Sequence, residues 1–212
     1  MTEDLGKIAK PLAEDFKEGR KLYFIPVIYC NPQPEAEYLE MYNRYWNQVE
    51  NQIGEMELKL GMVSRIYHEL IPAGGDDGVK TIEELNKKGC QVIKNRLDKG
   101  ARLEAMEDGQ LLTEFTDWGR CLAIGLQNQQ VITRVYDLYR QASQSRNEYI
   151  TQQIAATLKE NEIGILFTRE GHQLQFAPDI KVFYVTPPAL DEIKRWFRDR
   201  EAAPTGEPPD QE

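Results

Sequence analysis

The chain holds only two histidines, His68 and His172, so any imidazole acid–base chemistry has to run through one of them. His172 lies in the segment REGH (169–172), directly after an apolar run that reads as a buried strand. A turn after a strand is where α/β folds place site residues, outside the carboxyl ends of the sheet. Glu170 or Asp179 could orient the imidazole, which would make His172 the general acid or base of a hydrolase. The same residues also suit a hairpin turn whose polar side chains satisfy backbone groups. A second candidate constellation is EFTDWGR (114–120). There Asp117 and Arg120, three apart on a helix, can form an ion pair on the surface or the acid–base pair of a site.

Other chemistries find little support. His68, Glu69, Glu104, Glu107, Asp117 and His172 would make a metal site only if several helices converged. The tight spacings HExxH, CxxC and ExxH do not occur. The reading is therefore no metal and no cofactor. The glycine-rich GGDDG (74–78) carries two carboxylates that would repel a phosphate, and neither GxxxxGK[ST] nor GxSxG is found. Cys30, Cys90 and Cys121 form no metal or redox spacing and read as free thiols that fill space as small hydrophobes.

Two stretches point to binding instead. Leu39, Tyr42, Trp46, Val49, Ile53, Met56, Leu60, Val63 and Tyr67 follow one another in alternating steps of three and four. That spacing is the seam of a coiled-coil-like helix, and it predicts a helix over 35–68, longer than a small body needs. Tyr42, Trp46 and Tyr67 on this seam are aromatic anchors of the kind that dominate protein interfaces. The segment 87–102 is basic, with Lys87, Lys88, Lys94, Arg96, Lys99 and Arg102 against Asp98 alone. Lys94 and Arg96 there could neutralise RNA phosphates. The acids of 104–117 answer this charge, so a solvated face opposite an acidic helix is the competing reading.

The elements that must position these residues follow from periodicity and breakers. An amphipathic lead-in around Leu5, Ile8, Leu12 and Phe16 precedes the apolar run LYFIPVIYC (22–30), a buried strand in which Pro26 argues for an edge position or a bulge. Within the long helix, Gly54 and Gly61 lie on one side and call for close approach of another helix or a kink. TIEE (81–84) fits a capping box opening a helix to about residue 98. Helices are expected near 103–126 and 129–159, the latter as the antiparallel partner of 35–68. GILFT (164–168), IKVFYVT (180–186) and HQLQF (172–176) read as strands, and Thr186 with two prolines starts a last helix.

The fold class expected is α+β, a helix-dominated α/β protein. It has a small sheet of three to four strands and a long antiparallel helical hairpin inserted between the first strand and the C-terminal strands. The chain would form a single domain over 1–200, with 22–30 and 163–200 as a small α/β body and 35–160 as the helical insertion. The acidic, proline-rich 201–212 would be a disordered tail. Its four carboxylates contribute to a net charge of −9, which disfavours nucleic acid at long range. No apolar run suits a membrane span, the first residues lack a signal peptide's apolar stretch, and the free thiols fit a reducing compartment, so a cytoplasmic protein is expected.

The stretch from Glu162 through GILFTREGH to DIKVFYV (162–185) resembles the strand–loop–strand segments of release-factor-like α/β domains, without the GGQ tripeptide. The resemblance implies a ribosome- or RNA-associated factor. Three functions therefore stand open from the sequence. The leading one is a non-enzymatic adaptor that binds a protein partner or a second copy through the long helix. The others are the RNA-associated factor and the Glu170/His172 hydrolase.

Overall fold

A computed structural model describes residues 18–202. The expected lead-in and acidic tail lie outside the described residues except at their inner ends. The element order is β1 (Arg20–Pro26), α1 (Ala36–Leu60), β2 (Arg65–His68), α2 (Gly75–Leu85), α3 (Lys87–Leu97), β3 (Arg102–Leu103), α4 (Gly109–Ala123), α5 (Gln129–Thr157), β4 (Ile163–Thr168), β5 (Ile180–Tyr184) and α6 (Pro188–Ala202). The five strands form one sheet in the order β3-β2-β4-β1-β5, and every pairing is parallel. This is an α/β fold with helices on both faces, as a parallel sheet requires.

Connectivity decides which helix covers which face. From β1 the chain moves through α1 to β2 and through α2 and α3 to β3, always in one direction across the sheet. From β3 it returns through α4 and α5 to β4, in the opposite direction. Because parallel crossovers are right-handed, the two sets of helices must lie on opposite faces. The packing agrees. Tyr23, Ile25, Ile66, Ile165 and Phe167 point from the strands into a core built with α1, α2, α3 and α6. Leu22, Phe24, Tyr67 and Leu166 point the other way, toward Ile150 and Ile154 of α5 and Leu158 at its end.

This architecture corrects the expected one. The sheet has five parallel strands rather than three or four, and the helices form crossovers rather than an inserted bundle. The helix expected over 35–68 stops at Leu60, where Gly61 caps it with a φ of 113°. The residues after it form β2. The seam spacing runs through this boundary because Val63 before β2 and Tyr67 within it are both buried, and β2 is buried on both faces whatever the period. Residues 35–68 and 129–159 are not antiparallel partners: α1 and α5 cover opposite faces, and α5 folds back on α4 instead.

Smaller corrections follow. Pro26 is not on an edge strand; β1 lies between β4 and β5, and Pro26 is tolerated as its last residue. Thr81 lies inside α2, where its hydroxyl bonds back to the Asp77 carbonyl at 3.1 Å. The cap in this region is Asn86, which accepts from the Gly89 N–H at 2.9 Å. Residues 172–176 form no strand. Gly54 meets no close neighbour, whereas a Cβ on Gly89 would come within 3.0 Å of the Trp46 ring. Gly89 is the position that lets α3 approach α1.

Candidate functional site

The order β2-β4-β1 puts a switch in direction on each side of β4. The connections after β1 and β2 run over the α1 face, whereas the loop after β4 runs over the α5 face, where Leu174, Phe176 and Ala177 join the core. A crevice outside the carboxyl ends of the strands is expected at such a place. A cleft of about 1130 Å³ opens there, between residues 136–151 of α5 and residues 168–175.

Its floor is fixed by buried polar contacts. Thr168 ends β4, and its hydroxyl donates to Glu69 Oε2 at 2.9 Å; both residues are buried. On the adjoining wall, Arg146 of α5 forms a two-pronged pair with Glu107, with Nε at 2.8 Å from Oε2 and Nη2 against Oε1. Both side chains are almost wholly buried, at 5% and 0% exposure. Glu107 also accepts the Leu70 N–H at 2.9 Å. Leu70 adopts a left-handed φ of 66°, unusual for a bulky residue and sustained only by such surroundings. One carboxylate therefore joins the loop after β2, the segment before α4 and the wall of the cleft.

Above this floor the cleft turns cationic. Two guanidinium groups approach the Phe115 ring, Arg146 at 4.9 Å and Arg169 at 5.1 Å from its centroid. Cation–π contact of this kind holds Arg169 in place without neutralising it. Arg140 lines the same cleft, about one and two-thirds turns before Arg146. Among the described residues, neither Arg140 nor Arg169 takes part in an ion pair. Asp137 and Glu148 also line the cleft; Glu148 accepts from Gln144 at 2.8 Å.

Compared with protein-family models, with curated proteins and with solved structures, the chain matches none.

The residues singled out from sequence fall in different places. His172 lines the cleft. Its Nδ1 lies 3.2 Å from the Leu174 N–H, which can only donate, so the neutral ring carries its proton on Nε2. Burial beside Phe24 lowers its pKa and favours that neutral form. Glu170 points away and pairs with Lys194 at 2.7 Å, and Asp179 pairs with Arg20 at 2.7 Å. Neither orients His172. Asp117 and Arg120 form an exposed pair at 3.0 Å on α4. Lys94 pairs with Glu83 at 2.7 Å, and Arg96 is buried against Glu50 and Glu57.

Tyr42, Trp46 and Tyr67 are all core residues. Trp46 packs against Tyr45 and Phe167, and the Tyr42 hydroxyl donates to Asn86 at 2.6 Å. Their contacts are spent inside the chain. Of the residues weighed for a metal, His68, Glu69 and Glu107 gather near the carboxyl edge but serve the Thr168 and Arg146 contacts or the Glu69 backbone.

The residues the sequence reading missed are Arg140, Arg146 and Arg169. Part of the signal was legible: an interior helix carries a broad apolar stripe, whereas the 136–148 stretch of α5 is dominated by Arg, Gln, Ser and Asn.

Proposed function

We propose that this protein binds a small anionic ligand, carrying a phosphate or several carboxylates, in the cleft between α5 and the loop after β4. One observation carries the reading. Arg140 and Arg169 line one cleft at the switch in sheet direction, and neither is neutralised by a carboxylate of the described chain. A guanidinium is the natural partner of such an anion because its donors match two oxygens at once. The Phe115 contact supports Arg169 in advance, which lowers the ordering cost of binding.

Calorimetric titration with inorganic phosphate and with citrate tests this. Saturable binding that weakens with salt is the expected result. Arg140→Ala and Arg169→Ala should each weaken it by about tenfold or more, because a hydrogen bond to a charged group contributes roughly 1.5–3 kcal/mol. Absence of saturable binding by either anion, or binding indifferent to both substitutions, overturns the reading.

A second reading, a protein-interaction module, is favoured by a different region from the one the seam suggested. The α4–α5 hairpin exposes Ile124 at 73%, with Val131 and Leu138 also exposed. Exposed aliphatic residues at a hairpin end suit a partner surface. If Ile124→Lys leaves every association of the full chain unchanged, this second reading falls. Of the two contacts the RNA reading named, Arg96 is buried against Glu50 and Glu57, whereas Lys94 stays at the surface beside Glu83.

A further inference from the structure

The polarity of the cleft narrows the ligand further, on the footing of the anion-binding reading. The Thr168 hydroxyl gives its one proton to Glu69, so toward the cleft it offers only acceptor lone pairs. A phosphate or carboxylate oxygen cannot use an acceptor; a ligand hydroxyl can. His172, with Nδ1 engaged by the Leu174 N–H, offers a donor at Nε2. The rest of the lining is rich in neutral amides. Gln141, Asn147, Gln173 and Gln175 all face the cleft, and no side-chain amide of these four is engaged among the described residues. Each amide group carries both donors and an acceptor, the pattern that matches a hydroxyl.

Simple anions would leave this part of the cleft unused, and its volume of about 1130 Å³ far exceeds what a phosphate fills. We propose that the ligand is a hydroxylated anion of the sugar-phosphate or polyol-phosphate class. Its phosphate meets Arg140 and Arg169, one hydroxyl donates to Thr168 Oγ1, and further hydroxyls meet the amide wall.

The test compares two phosphates of one ring size, myo-inositol 1-phosphate and cyclohexyl phosphate, by calorimetry on the full chain. The expected result is binding of the inositol phosphate about tenfold or more tighter than the cyclohexyl ester, since the buried Thr168 acceptor is left unmatched by a ligand lacking the hydroxyl. Thr168→Val should collapse that ratio. Because Thr168 is buried, the exposed pair Gln173→Ala with Gln175→Ala provides a second variant that should reduce the ratio without unfolding the chain. Equal binding of the two esters, with both weakened by Arg169→Ala, overturns the polyol inference and leaves the anion site standing. Failure of both esters and of inorganic phosphate to bind overturns both.

Discussion

The two faces of the sheet are built to different rules. On the α1 face, four helices cover the strands with a continuous apolar core that includes Tyr38, Tyr42, Tyr45 and Trp46. The α5 face is thinner. Only the second half of α5 packs on the strands, through Ile150, Ile154 and Leu158. Ahead of these contacts α5 packs along α4, and its residues 136–151 wall the cleft. The polar contacts differ in kind as well. On the α1 face the buried Arg96 is paired with Glu50 and Glu57, so its charge is neutralised within the chain. On the α5 face the Arg146–Glu107 pair is closed, but Arg169 and Arg140 beside it are open. Stability is concentrated where packing is complete, and binding is offered where it is not.

If that division holds, the two faces should respond differently to substitution. The largest effect expected is from Trp46→Ala, which removes a 2% exposed side chain from the α1 core and should cost about 3–5 kcal/mol. Denaturant unfolding measures the cost, and phosphate affinity of the remaining folded protein should not change. Glu107→Ala should cost as much, about 3–5 kcal/mol, by leaving the Arg146 charge buried and unpaired. Unlike Trp46→Ala, it should weaken anion binding too, because it releases a wall of the cleft.

Next in size is an acid limb from His68. Burial pushes its imidazole down to about 4 from an ordinary 6.5, so between those values the unfolded chain takes up a proton that the folded chain refuses. The stability held above about pH 6.5 therefore declines as the pH falls toward 4, by up to about 3 kcal/mol. Urea midpoints across pH 4–7 should follow this slope, and His68→Gln should flatten it. A wild-type slope that persists in His68→Gln would assign the acid limb to other groups.

Smaller still is Phe115→Leu, which loses two cation–π contacts of about 0.5–1 kcal/mol each. Its melting temperature should fall by a few degrees, with phosphate binding weaker because Arg169 is no longer supported. Arg169→Ala should change stability by no more than about 1 kcal/mol, the loss of one cation–π contact at an exposed position outside the core, yet remove most of the affinity. Equal losses of stability from Arg169→Ala and Trp46→Ala would erase the distinction between the faces.

Much of the α1 face was legible in the sequence. The steps of three and four place Tyr42, Trp46, Val49 and Ile53 on one buried stripe, and all four are core residues. What periodicity could not show was where that stripe leads: a seam for a partner and a seam for the chain's own sheet carry the same pattern. The strands β4 and β5 were legible because they are apolar runs bounded by breakers. β2 and β3 were not, being four and two residues long, too short to establish a period. His172 could be found because it follows a buried strand closely. Arg140 and Arg146 could not, since their meeting with Arg169 depends on how α5 crosses the sheet edge, which is set by a chain reversal after β3 that no local pattern records.

The most direct test is a backbone amide NMR titration of the full chain with inorganic phosphate. The account predicts saturable shifts concentrated at 136–151 and 168–175, with the α1 residues 36–60 unmoved. Shifts spread evenly over both faces, or confined to 36–60 and α6, would contradict it.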